Sequence, residues 1–115
     1  MASVASASRH TSVNAIDRDH LRKMTLGNAA LEHEVLQLFD KQAEVLLTRM
    51  RDADPGSLAA LAHALKGSAR GIGAWPVAAA AEGLERHGAD YGVALDRLAE
   101  TVSAVRLEIA GLLAA

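Results

Sequence analysis

Residues 54–73 decide the fold and read DPGSLAALAHALKGSARGIG. Asp54 followed by Pro55 is a strong helix start, because the carboxylate can cap the first turn and proline suits the first helical position. Apolar residues then return every three or four positions, which predicts an amphipathic helix. Gly71 and Gly73 are predicted to end it. The expected buried face consists of Leu58, Leu61, Ala62, Leu65, Ala69 and Ile72.

Similar signals predict helices on both sides of this stretch. A short helix is expected over Asp17 to Met24, and Asn28 is a plausible N-cap for a long second helix. Pro76 is predicted to open a fourth helix that ends before Gly88, and a last helix is expected from about Asp90 onward to residue 113. The second helix is expected to bury Leu31, Val35, Leu38, Phe39, Gln42, Val45, Leu46 and Met50. The last helix has a heptad-like seam of Tyr91, Leu95, Leu98, Val102, Val105, Ile109 and Leu112.

The composition agrees with an all-α fold. The chain has 115 residues, with 25 Ala and 16 Leu, and only 3% of its residues are aromatic. Four amphipathic helices with short connections predict an antiparallel four-helix bundle, preceded by a short extra helix. We expect residues 1–15 to be a flexible tail and residues 16–115 to form a single domain.

Charge and cysteine content exclude several classes of protein. There is no Cys, so disulfide scaffolds and thiolate metal sites are excluded. The formal charge of −2 does not favour a nucleic-acid binder. No signal-peptide core or membrane-spanning run is found, so we expect a cytoplasmic protein that does not contact a membrane. A monomer is the default expectation.

His63 is the histidine that helix formation does not explain. At 100° per residue it lies about 200° around the helix from Leu61, which places it on the solvent side. The neighbouring outward positions carry Lys66, Gly67 and Arg70, and the preceding turn carries the small side chains Ala59 and Ala60. A mid-helix glycine costs about 1 kcal/mol relative to alanine, which suggests that a partner approaches the backbone there.

The charge pattern around His63 suits phosphoryl chemistry. Residues 55–81 contain no acidic side chain, and their only cations are Lys66 and Arg70. An exposed imidazole beside cations, with no carboxylate near it, could take up and hold a dianionic phosphoryl group. A surface histidine without a role is the alternative that the spacing leaves open. Metal, P-loop, dinucleotide and serine-nucleophile motifs are all incomplete, so no bound cofactor or metal is expected.

The sequence resembles the histidine-containing phosphotransfer (HPt) domains of bacterial phosphorelays. The match rests mainly on Ala62-His63-Ala64-Leu65-Lys66-Gly67-Ser68-Ala69, then on Gly71-Ile72-Gly73-Ala74 and Leu84-Glu85. Weaker support comes from the upstream segments His20-Leu21, Thr25-Leu26-Gly27-Asn28, Glu34-Val35-Leu36 and Leu38-Phe39. The resemblance covers about residues 16–113.

The resemblance implies that His63 accepts a phosphoryl group from a receiver-domain aspartyl phosphate and passes it to another receiver. It assigns charge stabilisation of the phosphoryl group to Lys66. Receiver domains and hybrid histidine kinases would be the partners, and Mg²⁺ would be held by the receiver. The chain would therefore be a phosphoryl carrier without kinase activity of its own.

The resemblance also implies a docking face around His63. Gly67 would leave room for the receiver, Ser68 would be the small residue that follows, and Ala59, Ala60 and Arg70 would flank the site. Arg86 is a further candidate docking residue. Glu85 stands where many members carry a polar residue near the histidine, often Gln, and a carboxylate there would repel a phosphohistidine.

Two other functions are alternatives to phosphoryl transfer. A helical adaptor of the same fold would bind partners without phosphoryl transfer, but the combination of His63, Lys66 and Gly67 argues against it. A dimerising segment of a kinase is disfavoured because 115 residues leave no room for a nucleotide-binding domain.

Overall fold

The computed structural model describes residues 15–86 and 91–114. Within these segments the chain forms five helices and no strand. They are α1 (Arg18–Met24), α2 (Ala29–Arg51), α3 (Pro55–Ile72), α4 (Trp75–Arg86) and α5 (Tyr91–Ala114). None of the helices in the described part is long and apolar enough to cross a lipid bilayer.

The four long helices form a bundle in chain order. The helix α3 packs against α2 and α4, and α5 closes the ring by packing against α4 and α2. The short α1 lies on α3. The predicted four-helix bundle with an extra N-terminal helix is therefore confirmed. The large, fully buried side chains of the described residues include Ile16, Leu21, Met50, Leu65, Leu84, Leu98 and Ile109.

The first three helices begin at capping side chains. Asp17, Asn28 and Asp54 each accept the backbone N–H of the residue three positions on, at 3.1, 2.9 and 2.8 Å. These bonds satisfy N–H groups that have no partner within the helix. The hydrogen bond from Ser57 lowers the pKa of the Asp54 carboxyl below its ordinary value. The predicted starts of α1, α2 and α3 are confirmed.

The helix α3 ends at Ile72, one residue beyond Gly71. Gly73 has φ = 77° and follows the last helical residue, whereas Gly71 lies inside the helix. The N–H of Ala74 donates to the carbonyl of Ala69 at 2.8 Å, and the N–H of Gly73 donates to the carbonyl of Arg70 at 3.3 Å. This pair of bonds is a Schellman motif, which needs a left-handed residue at the position of Gly73. Gly71 was therefore wrong as a stop signal.

The helix α1 is fastened to the corner between α3 and α4. The N–H of Asp17 donates to the carbonyl of Gly73 at 2.8 Å, and the indole N–H of Trp75 donates to the Asp17 carboxylate at 3.0 Å. The ring of His20 lies against that of Trp75, with 4.8 Å between centroids, and its Nε2 lies 2.9 Å from the carbonyl oxygen of Arg70. The indole donor lowers the pKa of Asp17.

The expected tail, residues 1–15, lies outside the described residues except for Ala15. That residue is buried, and its N–H donates to the Glu108 carboxylate on α5 at 2.8 Å. The helix-end signal Gly88 and the expected start at Asp90 also lie outside the described residues.

The second helix buries only part of the face expected, since Phe39 and Met50 are buried and Val35 and Leu46 pack against the core. Leu36, Ala43 and Met50 are buried at a spacing of seven residues, and Phe39 lies beside them. Three predicted core residues instead face solvent, with exposed fractions of 37% for Leu31, 55% for Leu38 and 50% for Val45. Gln42 is exposed as well. The error has a physical cause, because α2 carries two apolar stripes and the bundle covers only one of them.

Candidate functional site

His63 lies near the middle of α3, on the side away from the core. Ala62 and Leu65, its neighbours on the buried face, have no exposed surface, whereas the His63 side chain is 70% exposed. Ala60 is exposed and Ala59 is half-buried in the preceding turn. Only small side chains therefore stand beside the imidazole on its N-terminal side.

A carboxylate from α4 reaches this imidazole. Nδ1 of His63 lies 2.7 Å from Oε2 of Glu85, and Nζ of Lys66 lies 2.6 Å from Oε1 of the same carboxylate. Glu85 therefore bridges the two residues of α3. The contacts with Lys66 and then His63 lower the pKa of Glu85 below 4.5, so the carboxylate is ionised at neutral pH.

The charge state of Glu85 fixes the roles of the two ring nitrogens of His63. An ionised carboxylate can only accept hydrogen bonds, so Nδ1 must be the donor. In the neutral ring the other nitrogen, Nε2, then has no hydrogen and presents its lone pair. Because the side chain is largely exposed, this lone pair is open to a reagent that arrives from solvent. In this arrangement Nε2 is the ring nitrogen that could act as a nucleophile.

Two expectations about this site were wrong. The charge pattern of α3 predicted no carboxylate near the imidazole, whereas the family resemblance placed Glu85 near it. Glu85 does contact the ring from another helix, 22 residues away in the chain. Lys66 was expected to be an exposed cation, but only 14% of its side chain is exposed because its ammonium group turns toward Glu85. Counting positions around one helix cannot reveal either contact.

The three other predicted residues on α3 have different surroundings. A Cβ atom placed on Gly67 would meet nothing within 4 Å, so the surface there is open. The hydroxyl of Ser68 donates to the side-chain oxygen of Gln42 on α2 at 3.2 Å. Arg70 is exposed and stands two turns, about 10 Å, along the helix from His63.

Arg86 does not join the His63 cluster. Its guanidinium pairs with Glu82 at 2.9 Å, one turn earlier on α4, and 73% of its side chain is exposed. An exposed pair of this kind contributes little to stability. In the described segments, no group of three or more acidic and histidine side chains is arranged to hold a metal ion.

An apolar surface beside the site is formed by residues that the sequence pattern had assigned to the core. The exposed residues Leu31, Leu38 and Val45 follow one another along α2 at a spacing of seven, and we call them the α2 apolar surface. Between α2 and α3 runs a shallow depression that extends this surface toward the histidine. Its lining includes Gln42, Val45, Leu46, Ala64 and Ser68. Ala64 is the residue after His63, so this depression borders the part of α3 that carries the imidazole.

The family of the chain follows from a comparison of its sequence with known families. The profile of the Hpt domain matches residues 33–115. The chain belongs to the Hpt domain family. The resemblance drawn from the motif around His63 is thereby confirmed.

A solved structure agrees with this assignment. The chain is similar to the histidine phosphotransferase ShpA from Caulobacter crescentus, with a TM-score of 0.73 and 29% sequence identity. The similarity covers 86% of this chain and 90% of ShpA. A search of curated protein sequences finds no significant match. As an Hpt domain, the chain has a histidine phosphotransfer role in a phosphorelay, which involves receiver domains and histidine kinases.

Proposed function

We propose that His63 is the phosphoryl-accepting residue of this Hpt domain and relays the group between receiver domains. The observation that carries the proposal is the hydrogen bond from Nδ1 to the ionised Glu85, which leaves the exposed Nε2 as the nucleophile. His20, another histidine of the described segments, is engaged with the carbonyl of Arg70. His33 stands on the exposed side of α2.

The proposed step needs no proton transfer. Nε2 of His63 attacks the phosphorus of an aspartyl phosphate, the new N–P bond forms, and the P–O bond to the aspartate breaks with its electron pair. The ring becomes cationic and keeps its proton on Nδ1, where Glu85 accepts it. Lys66 lies one turn away and offsets negative charge on the phosphoryl oxygens. The reverse sequence passes the group to the next receiver.

We assign the Mg²⁺ that phosphoryl transfer requires to the receiver domain, together with the aspartate. In this proposal the chain contributes no catalysis of its own beyond a positioned nucleophile and one cation. It would act as a carrier rather than as a kinase. The monomeric state and the cytoplasmic location expected from the sequence stay predictions.

The receiver is proposed to dock on the face that combines His63 with the α2 apolar surface. Soluble chains rarely leave several large apolar side chains exposed along one helix without a partner. The residues beside the imidazole have small side chains or none, namely Ala60, Ala64 and Gly67. A partner could therefore bring its aspartyl phosphate close to Nε2. Arg70 would lie at the edge of the same face.

The decisive experiment is phosphoryl transfer to the variant His63→Gln. Receiver domains from the source organism, labelled on their aspartate, are mixed with the wild type, with His63→Gln and with the matched control His33→Gln. We expect wild type and His33→Gln to take up label and His63→Gln to take up none, because only that variant lacks the nucleophile. Equal thermal unfolding of the three proteins would show that the fold is intact. Label on His63→Gln would overturn the assignment, and partner binding without any transfer would support the adaptor alternative.

A further inference from the structure

Glu85 holds an unusual position for a group beside a phosphoryl acceptor. Its side chain is only 21% exposed, and its carboxylate contacts His63 Nδ1 and Lys66 Nζ at the same time. A negative charge so close to the ring would repel a bound phosphoryl group unless it served another purpose. Lys66 offsets part of that charge from the opposite oxygen.

The proton on Nδ1 decides how reactive a phosphorylated imidazole is. When the N–P bond breaks, its electron pair returns to Nε2. If Nδ1 carries a proton, the departing ring is a neutral imidazole, which is a good leaving group. If Nδ1 has lost its proton, the departing ring would be an imidazolate anion, which is a much poorer one.

The surroundings of the ring favour keeping that proton. With Nδ1 protonated, the cationic ring lies between two anionic groups, the Glu85 carboxylate and the phosphoryl group. Without the proton, the two anionic groups would face each other across a neutral ring. A charge-assisted hydrogen bond is also roughly twice as strong as one between neutral groups. A glutamine at this position would supply only a neutral acceptor.

We propose that Glu85 is a positioning residue that keeps Nδ1 of phosphorylated His63 protonated, so that this chain carries its phosphoryl group in a reactive, short-lived form. The inference deepens the proposed function and rests on it for the identity of the acceptor. Such a carrier passes its phosphoryl group on quickly rather than storing it.

The test uses a donor that needs no partner protein. Phosphoramidate can transfer its phosphoryl group directly to an imidazole nitrogen, with loss of ammonia. Wild type, Glu85→Gln and the control Glu82→Gln are phosphorylated in this way and kept at one mildly alkaline pH. Nitrogen NMR of labelled histidine reports whether Nδ1 is protonated, and phosphorus NMR follows the half-life of the N–P bond.

We expect the Nδ1 proton to be retained in wild type and in Glu82→Gln but largely lost in Glu85→Gln. The half-life of the phosphorylated Glu85→Gln protein is expected to be about three- to tenfold longer. An unchanged Nδ1 signal in Glu85→Gln would overturn the inference, whether or not the half-life changed. If Glu85→Gln loses the Nδ1 proton and gains half-life as expected, but no receiver transfers a phosphoryl group to the wild type, the proposed function is contradicted and the role of Glu85 stands.

Discussion

The face around His63 lies in the middle of α3, and the corner between α3 and α4 lies at the C-terminal end of that helix. The two regions are packed in opposite ways. Each contains a glycine. At Gly67, beside His63, an added Cβ would meet nothing within 4 Å. At Gly73, in the corner, an added Cβ would lie 2.8 Å from the backbone oxygen of Asp17 and 3.0 Å from its Cβ.

The difference separates a glycine required by the fold from one that the fold does not need. In the corner, Asp17 and Trp75 close over Gly73 through two hydrogen bonds, and the left-handed φ of 77° already disfavours a side chain. At Gly67 no internal contact forbids a side chain, and alanine would suit the helix better. Packing does not require the open space at Gly67, whereas the proposed docking of a receiver would make use of it.

The largest effect on stability is expected for Gly73→Ala. The new Cβ would force the Asp17 backbone away and would strain the left-handed turn, for a loss of roughly 2–4 kcal/mol in the free energy of unfolding. Urea unfolding of wild type and variant measures the loss. Gly71→Ala is the matched control, because its Cβ would meet nothing within 4 Å inside the same helix. Equal stability of Gly73→Ala and wild type would show that the corner is not fixed in this way.

An intermediate effect, on function rather than on stability, is expected for Leu38→Glu. Leu38 belongs to the α2 apolar surface, so a charge there should slow transfer from the receiver about tenfold while changing stability by no more than about 0.5 kcal/mol. Leu107→Glu is the control, since Leu107 is 76% exposed on α5, which packs against α2 and α4. Equal transfer rates for the two variants would remove the α2 apolar surface from the docking face.

A small change in stability is expected for Gly67→Ala, and its sign is opposite to that of Gly73→Ala. Alanine in the middle of α3 should raise the free energy of unfolding by about 0.5–1 kcal/mol. Phosphoryl transfer from the receiver should become slower, because the methyl group occupies the space left for the partner. Thermal unfolding tests the expected gain in stability, and a transfer assay on the same preparation tests the expected loss of transfer rate. A more stable variant with an unchanged transfer rate would show that docking does not need this glycine.

Interactions between residues that are close in the sequence predict much of the fold. Asn28 and Asp54 mark helix starts because a capping side chain acts on backbone groups only three residues away. The exposure of His63 follows from the geometry of a single helix, which the apolar spacing of α3 defines. The motif around His63 also suffices to indicate the Hpt family from the sequence alone.

The buried face of α2 could not be decided locally. Leu36 and Leu38 lie about 160° apart around that helix, and each belongs to a different apolar stripe. Hydrophobic periodicity shows that both stripes exist, but only the placement of α3 and α5 decides which one is covered. The stripe left open became part of the candidate docking face.

The sequence by itself determined the helices, their caps, the histidine that faces solvent and the family to which the chain belongs. Only the tertiary structure decided what surrounds that histidine. Glu85 reaches His63 because α4 packs against α3, so a contact between residues far apart in the chain depends on the packing of two helices. For the same reason Lys66 turns inward, and the ring nitrogens of His63 acquire different roles.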